Sequence, residues 1–169
     1  DLKPFENYDF YHAANVVVLS LLLGVEMGIS GTQLYELGMA SLLYDLGNIF
    51  LPREILQRPG KLPPAEYETV KKHTEIGFAF LRDNFDISID ACVGALHHHE
   101  HYDGSGYPYG LKKNKISIYG RIIDFNIMAV SQTVFAVVVH CPADFGRRIT
   151  GNCHGDITLA ELVILGRAQ

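Results

Sequence analysis

Four of the chain's eight histidines fall within five residues, in the run His97-His98-His99-Glu100-His101. Imidazoles and carboxylates are the common ligands of zinc, iron and manganese, and such ions activate water for hydrolysis. Other polar residues set in or beside apolar helical stretches are His12, Asp45, His73 and Asp124. Taken singly each has a plain reading, because a helical histidine is usually solvated or makes a satisfied core hydrogen bond. Adjacent histidines project about 100° apart on a helix, so they converge on one point most easily where the helix ends. Such an end is expected at Glu100-His101, before Asp103-Gly104. Spacing alone leaves metal ligation and solvated imidazoles equally open.

The segment that follows is richer than a connector needs. Asp103-Gly104-Ser105-Gly106-Tyr107-Pro108 places two glycines where positive φ can be required, and Pro108 pushes Tyr107 toward an extended backbone. A glycine loop directly after a ligand-bearing helix lets backbone amides approach a phosphate. Lys112-Lys113-x-Lys115 lies just beyond, as a solvated turn or as a basic patch that steers an anion.

Helices must position these residues. The apolar stretch Tyr8 to Met27 reads as a helix buried on most sides and stopped by Gly28. Ser30 or Thr32 can cap a second helix reaching Leu43-Tyr44-Asp45, with Gly47 as its stop. Pro52 opens a short helix that Pro59-Gly60 ends, and Pro63-Pro64 opens a longer one reaching Arg82. Ser88 caps a helix that carries Cys92, expected to be a small core residue, and ends in the histidine run. Further helices are expected over Ile118 to His140 and Thr158 to Leu165. No hairpin signal or β-α-β alternation is present, so the class is all-α.

At 169 residues, 48% hydrophobic and 20% charged, the chain is long and apolar enough to fold without staples, as one domain over residues 1–169. A formal charge of −5 argues against a binder of nucleic-acid polymers. Cys92, Cys141 and Cys153 are too few for a disulfide framework. His140-Cys141 and Cys153-His154 could form a Cys2His2 zinc site, but adjacent ligands strain tetrahedral geometry and core or solvated residues fit better. The run Val16 to Val25 is too short for a bilayer, which takes about 20 residues. It also lacks a charged leader and cleavage site. The chain opens on Asp1 rather than methionine, which fits a piece of a longer, cytoplasmic protein.

The motifs together resemble the HD-GYP domains, an all-helical branch of the HD metal-dependent phosphohydrolases that hydrolyse the bacterial second messenger cyclic di-GMP. His98-His99-Glu100-x-Tyr102-Asp103-Gly104-x-Gly106-Tyr107-Pro108 is similar to the family's HHE-x-x-DGxGYP signature. Tyr11-His12-Ala13-Ala14-Asn15-Val16 resembles its first-histidine helix, and Leu42-Leu43-Tyr44-Asp45-Leu46-Gly47-Asn48 stands where it has LLHDIGK. Pro59-Gly60-Lys61-Leu62, Lys72-His73-x-Glu75-Ile76-Gly77 and Arg121-Ile122-Ile123 match as well, so the likeness runs over about residues 8–127. It implies an HD-type bundle of about six to eight helices, with a divergent segment over 130–169.

The resemblance also implies a site for two, sometimes three, metal ions. One is held by the first histidine, the His-Asp pair and a later aspartate. The second shares that aspartate and adds three histidines. Carried onto this chain, the second ion keeps Asp45, His73, His98 and His99, with Asp45 as the shared catalytic ligand. His97 and His101 are then expected to be solvated. The first ion keeps only His12 and Asp45, because Tyr44 replaces the paired histidine and Ile127 the late aspartate. The lysine expected to face the substrate phosphate is Asn48. A phenol with a pKa of about 10 is a poor substitute for neutral imidazole at pH 7, and isoleucine cannot ligate. Asp124, one turn before Ile127, is the candidate substitute.

The expectation is therefore a degenerate HD-GYP domain, weak or inactive as a phosphodiesterase and acting as a regulatory module. One iron, manganese or zinc ion is expected rather than two, with none as a further alternative. Asp103, Gly104, Gly106, Tyr107 and Pro108 form the substrate or partner loop. Cyclic di-GMP, a GGDEF-type or sensor domain and a second copy of the chain are the expected partners, with no membrane contact from this chain. The alternative is an active metal-dependent phosphodiesterase that opens cyclic di-GMP to pGpG or GMP.

Overall fold

The computed structural model describes residues 4–131, with side chains placed over 11–128. Seven helices follow in order: α1 (Pro4–Glu26), α2 (Gly31–Leu43), α3 (Arg53–Leu56), α4 (Pro64–Lys71), α5 (His73–Asn84), α6 (Ile89–Leu96) and α7 (Ile118–Ser131). Short 3-10 turns cover Leu46–Phe50 and Lys113–Lys115. Among the described residues there is no strand, and no helix is long and apolar enough to cross a membrane. The expected zinc pairing of His140, Cys141, Cys153 and His154, the end of the 118–140 helix and the 158–165 helix lie outside the described residues.

The core forms where α1, α2, α6 and α7 meet, with α5 packed on α6. It is built from Val16 and Leu23 of α1, Leu37 and Ala40 of α2, Leu81 of α5, Ala91, Cys92 and Ala95 of α6, and Ile122 and Ile123 of α7. Gly28, at φ +78°, ends α1 as expected, and the following Ile29 N–H bonds back to the Gly24 carbonyl at 2.8 Å. Between α1 and α7, Asn126 donates to Ser20 Oγ at 3.1 Å and to the Ile122 carbonyl at 2.9 Å, satisfying a buried amide.

Three local expectations are corrected. Ser30 occupies the N-cap of α2 without a side-chain cap bond, whereas Ser88 does cap α6, its hydroxyl accepting from Ala91 N–H at 3.2 Å. The single helix expected over 64–82 is two helices broken at Lys72. Gly47 is not a helix stop, since α2 ends at Leu43. A Cβ at Gly47 would lie 1.9 Å from the His73 carbonyl oxygen and 2.9 Å from Gly77 N, so this glycine permits direct backbone contact with the start of α5.

Candidate metal centre

The α4–α5 break and the Gly47 contact bring two distant stretches of sequence together. Asp45, just before the 3-10 turn, faces His73 in the first turn of α5, with Asp45 Oδ1 3.4 Å from His73 Nε2. The chain leaves α6 at Leu96, and the turn that follows sends His98 and His99 into the same place. One ligand atom from each of Asp45, His73, His98 and His99 lies within 4.8 Å of the others. Converging histidines at a helix end were expected, and this is the arrangement found.

The hydrogen bonds of the rings test whether a cation fits. His73 Nδ1–H donates to the Val70 carbonyl at 2.7 Å, and His98 Nδ1–H donates to the Ala95 carbonyl. These bonds fix both tautomers, so each Nε2 presents a lone pair. The two Nε2 atoms are nevertheless 3.2 Å apart, with Asp45 Oδ1 at 3.4 and 3.8 Å from them. Two acceptors and a carboxylate oxygen at such separations repel unless a cation lies among them. Burial, reinforced by neighbouring His73, lowers the His98 pKa to about 3. Burial first, then His98 and His73, lowers His99 to about 2 against the opposing pull of Asp45. A proton therefore does not supply that charge at neutral pH, and a divalent ion fits the donor set. Backbone carbonyls that orient the far ring nitrogen are a recurrent feature of histidine metal ligands.

Buried Glu100 secures the loop after the cluster. Its Oε1 accepts from Tyr109 N–H at 2.7 Å and its Oε2 from Leu111 N–H at 2.8 Å. Gly104 has the expected positive φ of +88°, but Gly106 is needed for a different reason. A Cβ there would lie 2.3 to 2.6 Å from the backbone of His99, Glu100 and His101. Asp103 Oδ1 accepts from Ser105 N–H and Oγ–H at 2.8 and 2.7 Å, which shapes the turn and holds its carboxyl below the usual range. Tyr107, followed by Pro108, stacks on His99 with centroids 4.6 Å apart, and burial raises its phenol pKa. Lys113 and Lys115 lie in an exposed turn, while the Lys112 stem runs beside Gly104.

The two other candidate ligands, His12 and Asp124, and the lost family positions Tyr44, Asn48 and Ile127 lie outside the four-residue set. Tyr44 is buried in the hydrophobic core, its ring edge-on to His98 with centroids 4.9 Å apart. Ile127 packs against the same core. His12 stands on α1 one turn before buried Val16, outside the four-residue set. Asp124 Oδ2 lies 3.7 Å from His101 Nδ1 and is likewise outside it. Asn48 turns inward, donating from Nδ2 to Asp45 Oδ1 at 3.0 Å. His97 and His101 are not solvated as expected. His97 is buried against Gly120, accepts Ser117 N–H at its Nδ1 (3.2 Å) and has its pKa lowered by burial, while His101 is mostly covered beside Asp124.

A family profile described as the HD domain matches residues 9–128. The chain belongs to the HD domain family. Its loop signature and its relatives place it in the HD-GYP branch. It is 42% identical over 132 residues to a cyclic di-GMP phosphodiesterase of Thermotoga maritima, covering 78% of this chain and 34% of that protein. It is 36% identical over 124 residues to a cyclic di-GMP phosphodiesterase of Pseudomonas aeruginosa, covering 72% of this chain and 29% of that one. The chain thus spans about a third of the length of these curated relatives. An HDG"Y"P protein from Bdellovibrio bacteriovorus shares the fold, with a TM-score of 0.64 and 22% identity over 91% of this chain and 50% of that one.

Sequence reasoning missed Glu100 as the loop's anchor and Gly47 as the contact that lets Asp45 meet His73. The signal for Glu100 was its place inside the histidine run, directly after the two histidines expected to face a metal.

Proposed function

We propose that this HD-GYP domain retains one metal site and has lost the partner site that two-metal phosphodiester hydrolysis requires, so that it binds cyclic di-GMP with weak or no turnover and serves as a regulatory module. The observation that carries the reading is Tyr44. The position beside Asp45 that the resemblance assigns to a metal-binding histidine is a ring sealed in the core, and Ile127 from α7 packs against the same core.

A divalent ion, iron, manganese or zinc by its nitrogen-rich donor set, would be held by Asp45, His73, His98 and His99. When bound it supplies Lewis acidity toward water and a phosphoryl oxygen. The chain's own groups do the rest. Asp45 bridges the two histidine stretches, and Asn48 steadies its Oδ1 through a neutral amide. Because Asn48 brings no charge, the electrostatic help a lysine would give a developing phosphate charge is absent there. Tyr107 closes one side of His99 and, with its pKa raised, keeps its proton as a hydrogen-bond donor. The loop 103–108, anchored by Glu100, shapes the approach.

The intact four-ligand cluster favours a second reading, an active phosphodiesterase that converts cyclic di-GMP to pGpG or GMP with His12 and Asp124 supporting another ion. The single-domain organisation over 1–169, a cytoplasmic location, GGDEF-type or sensor partners and self-association belong to the regulatory reading. Incubation of metal-loaded chain with cyclic di-GMP, with separate measurement of binding and product, tests it. Binding with little or no pGpG supports the regulatory reading, and turnover abolished by Asp45→Ala overturns it in favour of the second.

A further inference from the structure

The end of α4 puts a cation at the rim of the cluster. Lys71 is the last residue of α4, two positions before His73. Its Nζ lies over two tyrosine rings, 5.1 Å from the centroid of Tyr67 and 5.7 Å from that of Tyr107. The rings meet edge to face at 6.4 Å, and Tyr107 itself stacks on His99. A single aromatic ring therefore separates the ammonium from the ligand set. An aromatic seat attracts an ammonium without neutralising it, which leaves the charge available to an anion.

The charged partner Lys71 holds is Glu68, at 2.6 Å between Nζ and Oε1. The Glu68 side chain is 66% exposed, and an ion pair of this kind, three residues apart on a helix surface, is weak and easily exchanged. Its carboxylate occupies one place where an incoming anion could meet the ammonium. Asn48 is neutral and already engaged with Asp45. Lysine meets phosphate as a point charge, so this seat can take a phosphodiester oxygen without the fork geometry that arginine would impose.

Resting on the reading that this site takes a cyclic dinucleotide, we propose that Lys71, seated over Tyr67 and Tyr107, binds a phosphodiester of the ligand at the rim of the metal cluster and exchanges Glu68 for it. The residue acts on ligand binding and not on the metal. Glu68 is then an internal competitor, and the two members of one ion pair have opposite effects on affinity.

The test is the affinity of metal-loaded chain for cyclic di-GMP by titration calorimetry, for the unaltered chain and for Lys71→Met, Lys71→Arg and Glu68→Gln, with metal content and melting temperature measured on each. Lys71→Met is expected to weaken binding about tenfold or more, the scale of a lost charge-assisted contact. Lys71→Arg should retain most of the affinity, and Glu68→Gln should tighten binding several-fold, all at unchanged metal content. If the pair were only structural, Lys71→Met and Glu68→Gln would move affinity in the same direction, which overturns the proposal. Unchanged affinity in Lys71→Met, or loss of metal from it, overturns it too. Failure of the underlying reading looks different: the unaltered, fully loaded chain would itself fail to bind cyclic di-GMP, and the role of Lys71 would fall with it.

Discussion

Two regions meet at Asp45, and they are built in opposite ways. On the side of His73, His98 and His99, every ring with a tautomer fixed by a backbone carbonyl points its lone pair inward, and two nitrogen acceptors stand 3.2 Å apart. On the side of Tyr44 and Ile127, the corresponding positions belong to the hydrophobic core. The converging acceptors of the first region call for a cation to compensate for them. Where a ligand set is incomplete, an apolar side chain is the stable occupant, since a buried imidazole or carboxylate without a partner is costly. On the regulatory reading proposed above, one half of a two-metal site is lost while the other keeps its geometry.

The largest effect expected from this contrast comes from the polar side. Asp45→Ala or His98→Ala should weaken metal binding by about 100-fold or more, beyond the loss typical of outer-shell partners. Tyr44→Ala should leave metal affinity within a few-fold while costing roughly 3 kcal/mol of stability as a core truncation. Competition with a chromogenic chelator, together with denaturant unfolding, separates the two. Comparable metal loss in both variants would erase the contrast.

Next is Gly47, which allows the polar side to assemble. Gly47→Ala places a Cβ against the His73 carbonyl and should cost about 3 kcal/mol, the upper range for overpacking, and lower metal affinity as well. Denaturant midpoints and metal titration check both.

Acid sharpens the contrast in the metal-free chain. His98 and His99 are neutral in the folded state, with pKa values lowered from 6.5 to about 3 and about 2. Between those values and 6.5 the unfolded chain binds more protons than the folded one. Their contribution to stability is therefore fully present above pH 6.5 and falls as the pH drops toward the folded values. Denaturation midpoints at pH 7.5, 6 and 5 should fall steadily, and the slope should flatten in His98→Phe. A pH-independent midpoint over that range would contradict the burial described.

The smallest expected effect concerns the loop. Glu100→Gln turns one acceptor oxygen into a donor facing Tyr109 or Leu111 N–H, at a local cost of about 1–3 kcal/mol. Hydrogen exchange at those two amides should speed up while the core helices stay protected.

Much of this was legible in the sequence. The all-helical class followed from 3.6-residue periodicity and proline placement, and His73, His98, His99 and Asp45 stood in a recognisable pattern. Less legible were features that depend on backbone contact between distant segments. Gly47 reads locally as a helix stop, and only the close approach of His73 explains it. The break at Lys72 is invisible to propensity, because Val70, Lys71 and Lys72 are ordinary helical residues. His97 reads as one more solvated imidazole until Gly120 of α7 is placed against it.

The count of bound ions tests the central claim most directly. Chain loaded in turn with manganese, zinc and iron, freed of excess ion and analysed by elemental mass spectrometry, should hold one ion per chain and none after Asp45→Ala. Two ions per chain, with the second lost on His12→Ala or Asp124→Ala, would contradict the account and return this domain to the two-metal hydrolases.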